Sequence, residues 1–466
     1  MNDKTISEFA VNDYPAFGYL DNIRKIASFV DGLKLSQRKA LYTLFKRFNK
    51  SSTETKTARL SSAIAETTEY LHGENSLNIV LDTMAASYVG SNNYPLVIGH
   101  GNFGTRFSGP GSASAPRYTY ISISDLDNIL YNPDDRAICK SQIFEGSEIE
   151  PMYFMPIFPV VFLNGTDGLS TGWKTQIFPR KPSDIISYIK AVLTDSKRIP
   201  NPDKFIPYFR GFEGITQLVK YTDTETNKSY LEFVNCGVIE KINSNELKIK
   251  ELPITYSYEQ YIKVLEKLIE KDVIVDYEDF SDPKTDKFNF SIKVKREFFK
   301  KYPDESEWMK IFGLEKSLPE QLNLIDETNK IHEFTSIKEI LDRFIDIRLK
   351  FYSKRKKYLL NKWIEELKIN LSKYLWCKGI IDETIQIRNI KKDVVIAQLE
   401  KIENIIKVND SYNYLLNMSL VSVTKEKLAE LKEEIQYLKE KVKELKATDE
   451  KTMWLNDLEE LKKFVD

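Results

Sequence analysis

Near the end of the chain, Leu428, Leu431, Ile435, Leu438, Val442 and Leu445 recur in steps of three and four, with lysine and glutamate between them. A seam of that period belongs to a helix that must bury one stripe against another helix, as in a coiled coil. A looser version, Ile345, Leu349, Tyr352, Leu359 and Trp363, marks an earlier helix. Some 40 residues at 1.5 Å rise reach about 60 Å. The two segments, 336–376 and 424–466, are therefore expected to be the antiparallel arms of a stalk, with a compact helical piece, 377–423, at its tip. Such a stalk serves as a spacer or an oligomerisation device rather than as a catalytic centre.

The rest of the chain must supply the chemistry, and 466 residues exceed what one hydrophobic core organises. The 68 basic and 69 acidic residues nearly cancel, so any nucleic-acid or membrane surface has to be local. Cys139, Cys236 and Cys377 are too few and too scattered for a disulfide framework or a zinc site, which points to a reducing, cytoplasmic setting. The opening residues lack the pattern of a signal peptide. The longest apolar run, Met152 to Leu163, is too short to span a membrane and contains prolines, so it is expected to be core.

In the N-terminal third, Ile23, Ile26, Ala27 and Val30 have the spacing of an amphipathic helix that breaks at Asp31-Gly32. Ser36 can cap a second helix with Leu41, Leu44, Phe45 and Phe48 on its apolar face and Arg38, Lys39 and Lys46 off it. This fits a helix-turn-helix element, and equally an ordinary helical hairpin with solvated lysines. A further helix carries Leu77, Val80, Leu81, Met84 and Tyr88 and stops at Gly90. A glycine-rich stretch, "GHGNFGTRFSGPG", then leads into "RYTYISIS", whose period of two reads as a strand. Helices followed by a flexible wing and a strand suggest a winged-helix DNA-binding domain over 1–150. From 151 to 335, strands such as "NELKIKEL" and "KFNFSIKVK" alternate with a helix bearing Tyr261, Leu265 and Leu268. The fold class is thus α+β and multidomain.

Few groups carry obvious chemistry. "GLSTGWKT" is no phosphate-binding P-loop, because Trp173 separates its second glycine from Lys174. Asp125 and Asp127 could in principle hold a metal, but a solvated turn is the simpler reading. His72 reads as a cap or loop residue. Arg117, Tyr118 and Tyr120 are more suggestive. A phenol, with a pKa near 10, needs help to act as a nucleophile. Against a phosphodiester it forms an ester that keeps the bond energy, so the reaction reverses. A neighbouring guanidinium can stabilise the phosphoryl oxygens in the transition state. The chemistry alone does not choose between Tyr118 and Tyr120.

Six stretches, "DGLKLSQRKALYTLFKR", "YLHGENSL", "VGSNNYPLVIGHGNFGTR", "ASAPRYTY", "NGTDGLSTGW" and "YNYLLNMSLVSVTKEKL", follow one another in the order found in the breakage-reunion region of the type IIA DNA topoisomerases, which the chain resembles over nearly its whole length. The wording is nearer the eukaryotic branch than bacterial gyrase. Ending after the stalk is similar to the split enzymes of T-even bacteriophages, where this part is the medium subunit.

The resemblance implies catalytic roles for Tyr118, as nucleophile, and Arg117, at the transition state. It implies DNA contacts for Arg38, Lys39, Lys56, His72 and Arg106, and an apolar wedge between base pairs at Leu169. The family's paired histidines are represented by His72 alone, since Leu71 takes the place of the other. A tower over 151–335, coiled-coil arms and an exit-gate dimerisation domain would follow the winged helix. No metal site is expected in this chain. Mg²⁺ and ATP would be bound by a separate large subunit carrying the ATPase and TOPRIM domains. The other partners would be double-stranded DNA and a second copy of the chain, with no membrane. A metal-dependent nuclease at Asp125 and Asp127, or a DNA-binding scaffold that never cuts, are the alternatives.

Overall fold

The computed structural model describes residues 5–48, 53–222, 229–387, 390–419 and 423–465. The chain divides into two compact units, Met1–Arg348 with Asp457–Asp466, and Leu349–Asn456.

The first unit carries, after helical turns at Ile6–Glu8 and Phe9–Asp13, helix α1 (Tyr14–Lys25), then α2 (Leu35–Arg47), β1 (Thr55–Lys56), α3 (Thr57–Thr68), α4 (Glu74–Ala85), β2 (Val97–His100), β3 (Tyr120–Ile123) and α5 (Asp125–Leu130). The three strands form an antiparallel sheet in the order β1-β3-β2. Leu41, Leu44, Leu60, Ile64, Leu77, Leu81, Val97, Ile121 and Ile123 are buried. This is the helical bundle with a small sheet and a glycine-rich wing that the sequence pattern anticipates.

Local boundaries differ from the sequence reading in informative ways. The helix expected to continue through Val30 stops at Lys25, and Ile26 is extended. Residues 26–30 instead pair with the far end of the unit, Phe29 N–H donating to Ile325 C=O (2.9 Å) and Ile325 N–H to Ala27 C=O (2.9 Å). A segment buried on all sides has no polar face, so its apolar run can imitate a helical stripe. Helix α2 starts before Ser36, with the Gln37 carboxamide accepting from Lys34 N–H (2.9 Å). Helix α4 ends at Ala85, short of Gly90, where the Asn92 side chain donates to Thr83 C=O (2.7 Å) and Ala86 C=O (2.9 Å). The strand expected from Arg117 begins only at Tyr120.

The apolar run 152–163 is core, with Phe154, Met155, Ile157, Phe158 and Val160 to Leu163 all buried. It follows the hairpin β4 (Ser141–Phe144) and β5 (Ser147–Pro151). The "GLSTGWKT" segment forms a second hairpin, β6 (Thr166–Ser170) and β7 (Trp173–Ile177), turning at Gly172 with φ +78°. After helix α6 (Pro182–Leu193) come β8 (Ile215–Thr222) and β9 (Ser229–Cys236), then β10 (Val238–Asn243), β11 (Glu246–Glu251), α7 (Tyr258–Glu270), β12 (Asp276–Asp279) and β13 (Phe290–Lys293). Strands β10-β11-β13-β12 make an antiparallel sheet. Helix α7 packs its Tyr261, Leu265 and Leu268 into the same core as Leu247, Ile249, Phe290 and Ile292 of that sheet.

The second unit contains most of α8 (Ile337–Ile381), together with α9 (Lys392–Leu399), α10 (Lys425–Ala447) and the start of α11 (Glu450–Val465). Leu431, Ile435, Leu438, Val442 and Leu445 are buried along α10, as the seam requires. The pairing with α8 is antiparallel. Asn370 bonds Glu434 (3.1 Å), the Lys441 ammonium lies over the Trp363 ring (5.2 Å), and Tyr352 packs on Trp454 (ring centroids 5.7 Å). The second arm is not one helix. It breaks at Thr448, which is extended, and restarts after Asp449, whose carboxylate accepts from Thr452 N–H (2.7 Å). Between the arms, Trp376, Cys377, Ile385, Val395, Leu399, Ile405, Tyr412 and Leu415 form a separate core. Leu420, Val421 and Ser422 of the "YLLNMSLVS" stretch lie outside the described residues.

Candidate active site

Arg117 and Tyr118 occupy a turn, closed by Tyr118 N–H donating to Ala115 C=O (2.8 Å), and the turn is clamped on both sides to the start of α3. The first N–H groups of a helix lack partners within it. Here Ala58 N–H donates to Pro116 C=O (3.1 Å) and Thr57 N–H to Thr119 C=O (3.1 Å). The Thr57 and Thr119 hydroxyls add a buried hydrogen bond of 2.8 Å. Pro116 and Thr119 are thereby held, and the two residues between them are pushed outward. Tyr118 is 70% exposed, with the Arg117 guanidinium 5.4 Å from its ring centroid.

Tyr120 has a different setting. It pairs with Lys56 of β1 on one side and His100 of β2 on the other, is 38% exposed, and lies under the Lys56 ammonium at 5.9 Å. The histidine, which the sequence did not single out, places Nε2 3.0 Å from the Ser122 hydroxyl and Nδ1 3.7 Å from Glu54. Nothing local in "IGHGNFG" reveals this; it needs the strand register.

The DNA-contact candidates divide into two groups. Lys56 and His72 are exposed, and His72 packs edge-on against Tyr70 (5.3 Å). Leu169 is 73% exposed near the tip of the β6–β7 hairpin. That hairpin is fixed to α1 by Ser170 Oγ donating to Asn22 (2.7 Å) and Thr171 N–H to Asp21 (2.9 Å). A rigid hairpin presenting a leucine to solvent suits a wedge.

Arg38, Lys39 and Arg106 instead turn inward. Arg38 grips Asp31 through Nε (2.6 Å) and Nη2 (3.0 Å), and Asp31 also accepts from Phe154 N–H (3.1 Å). Lys39 reaches Glu150 (2.8 Å) and Thr68 C=O (2.8 Å). Arg106 pairs with Glu251 (2.6 Å). The expectation of a basic outer face on α2 is corrected for Arg38 and Lys39, both buried, because the Asp31 and Glu150 carboxylates neutralise them.

Asp125 and Asp127 do not act as a pair, and the solvated turn expected there is also corrected. Asp125 is exposed, whereas Asp127 is fully buried in the first turn of α5, its carboxylate accepting from Ser124 N–H (3.2 Å). Burial holds the Asp127 carboxyl well above the usual carboxylate range. Among the described residues no group of three or more His, Cys, Asp or Glu is placed to hold a metal ion.

The chain as a whole is similar to known proteins. A solved structure described as the DNA-binding, cleavage and re-ligation domain of Plasmodium falciparum topoisomerase II matches with a TM-score of 0.87 at 31% identity, covering 98% of this chain and 64% of that one. DNA topoisomerase 2, mitochondrial, of Dictyostelium discoideum is 32% identical over 100% of this chain and 36% of its own length. DNA topoisomerase 2 of Saccharomyces cerevisiae is 28% identical over 98% and 34% respectively, so the chain spans about a third of the length of these relatives. The model of the family formed by the A-type subunits of DNA gyrase and topoisomerase IV matches residues 24–459, and the chain belongs to that family.

Proposed function

We propose that this chain is the DNA-cleaving and rejoining part of an ATP-dependent type II DNA topoisomerase, with Tyr118 as nucleophile. The observation that carries the reading is the clamped turn, which fixes Pro116 and Thr119 and leaves the Tyr118 phenol free to meet a substrate. In the proposed step the phenol oxygen bonds to a backbone phosphorus as the bond from phosphorus to a sugar oxygen breaks. The phenol proton departs and the sugar oxygen leaves as a hydroxyl. Attack of that hydroxyl on the tyrosyl phosphate restores both groups, so a break held in this way can be resealed after a second duplex has passed.

Arg117 is assigned the charge on the phosphoryl oxygens. Lys56 and His72 are assigned to flanking phosphates, and Leu169 to the bend. In this reading residues 1–150 are the winged-helix cleavage domain, 151–335 the tower, 336–376 and 424–466 the arms, and 377–423 the exit gate through which two copies pair.

The groups placed beside Tyr118 and Tyr120 do not fit a divalent cation. Arg117, at the Tyr118 ring, and Lys56, over the Tyr120 ring, are cationic, and His100, paired with Tyr120, is turned toward Ser122 and Glu54. No step is therefore routed through a metal on this chain, and Mg²⁺ and ATP are assigned to a second polypeptide. Among the described residues no helix is long and apolar enough to cross a membrane. The three cysteines are free thiols, and a reducing, cytoplasmic setting is part of the proposal.

The test combines the chain with a large subunit, Mg²⁺ and labelled plasmid, and traps protein on DNA ends with denaturant. Wild type should give a covalent adduct and Tyr118→Phe none. An adduct that persists in the variant moves the nucleophile to Tyr120, and cutting without any adduct favours a nuclease.

A further inference from the structure

Arg106 lies on the glycine-rich loop that leads to Tyr118. That loop is closed at its neck, where Ser114 N–H donates to Asn102 C=O (2.9 Å) and the Asn102 side chain to Ser112 C=O (3.1 Å). Only Ala115 to Arg117 separate the neck from Tyr118. The middle of the loop is embedded elsewhere. Phe107 packs on Phe288 (4.7 Å) and Tyr258 (5.2 Å), inside the core built by β10 to β13 and α7.

The Arg106 guanidinium is engaged on the side of that core. Nη1 meets Glu251 at 2.6 Å, Nη2 donates to Leu252 C=O at 2.8 Å, and the guanidinium lies 4.7 Å from the Phe288 ring. The Arg106 N–H donates to Asp286 (3.2 Å). Glu251 also accepts from Glu213 N–H (3.1 Å) and Leu252 N–H (2.8 Å). Both side chains are 5% exposed. An arginine committed in this way has no free face for a phosphate.

We infer that Arg106 is a positioning residue, tying the Tyr118 loop to the β10–β13 module so that the placement of the nucleophile depends on that module. The inference rests on the cleavage function proposed above. It differs from the DNA-contact role expected from the sequence. A phosphate contact contributes counterion release, and losing it lowers the salt dependence of DNA binding by about one unit of slope. A positioning residue leaves that slope alone and acts on the reaction, where a displacement of about 1 Å can cost about a hundredfold.

The test uses the uncharged Arg106→Gln and, as a second route, the isosteric Glu251→Gln. Both are checked for intact folding by near-ultraviolet circular dichroism. DNA affinity is measured against salt concentration for the full chain, and adduct formation is measured in the presence of Mg²⁺ with a large subunit. The expected result is an unchanged salt slope in both variants, with adduct formation slowed about tenfold to a hundredfold. A slope reduced by about one in Arg106→Gln would make Arg106 a phosphate contact. Adduct formation at the wild-type rate in a folded variant would also overturn the inference. Wild type that forms no adduct defeats the cleavage reading itself, and the inference falls with it.

Discussion

Asp82 sits on α4 with its Oδ1 buried and without a hydrogen-bond partner. Burial raises its carboxyl from 3.8 to about 6. A carboxyl raised in the folded state favours folding while protonated. Its contribution is fully present below the unfolded value near 3.8 and is lost as pH rises through about 6. Asp82→Asn should therefore stabilise the protein at pH 7.5 by about 1 kcal/mol, after discounting for the half of the group that water still reaches. The gain should vanish near pH 4. Urea unfolding at both pH values checks this, and an equal gain at both would remove the charge from the explanation. At this scale the sequence was readable where a placement depends on neighbours in the chain, as for Arg117 beside the Tyr118 ring. It was not readable where the partner is remote. Lys39 and Arg106 look like surface cations until Glu150 and Glu251 are brought to them.

Among the elements, the seam of α10 was legible because a strict heptad has one way to be buried. Leu438, 8% exposed, lies in its middle. Leu438→Ala should destabilise the second unit by about 2–4 kcal/mol. Following that unit by the fluorescence of Trp363 and Trp376 during denaturation would show the loss, and an unshifted midpoint would mean that the seam is not tightly packed. The break at Thr448 was hidden, since Asp449 reads as one more charge until its carboxylate is seen capping α11. Residues 26–30 were misread for the opposite reason, being buried so completely that no polar face reports the period. The turn holding Tyr118 also escaped the strand pattern. Period two continues through "RYTY", while the hydrogen bonds to α3 decide where the strand begins.

In the molecule as a whole, the fold class followed from the periodicities and six motifs, but the route of the chain did not. The last residues return to the unit in which the chain starts. Leu458, Leu461 and Val465 are buried there, and Val465 C=O accepts from the Tyr94 hydroxyl (2.8 Å). Ending the chain at Asn456 should destabilise the first unit by at least about 4 kcal/mol. Calorimetry would register this as a lowered first-unit transition; one that stays in place would show that the returning helix is dispensable. The loop that carries the tyrosine also waits on later sequence, because Phe107 joins a core that extends to Leu314. During synthesis at 5–20 residues per second, those roughly 200 further residues take about 10–40 s to emerge. Through that interval the loop that leads to Tyr118 lacks the core into which Phe107 packs, so a nascent or prematurely ended chain cannot hold that loop in its folded place.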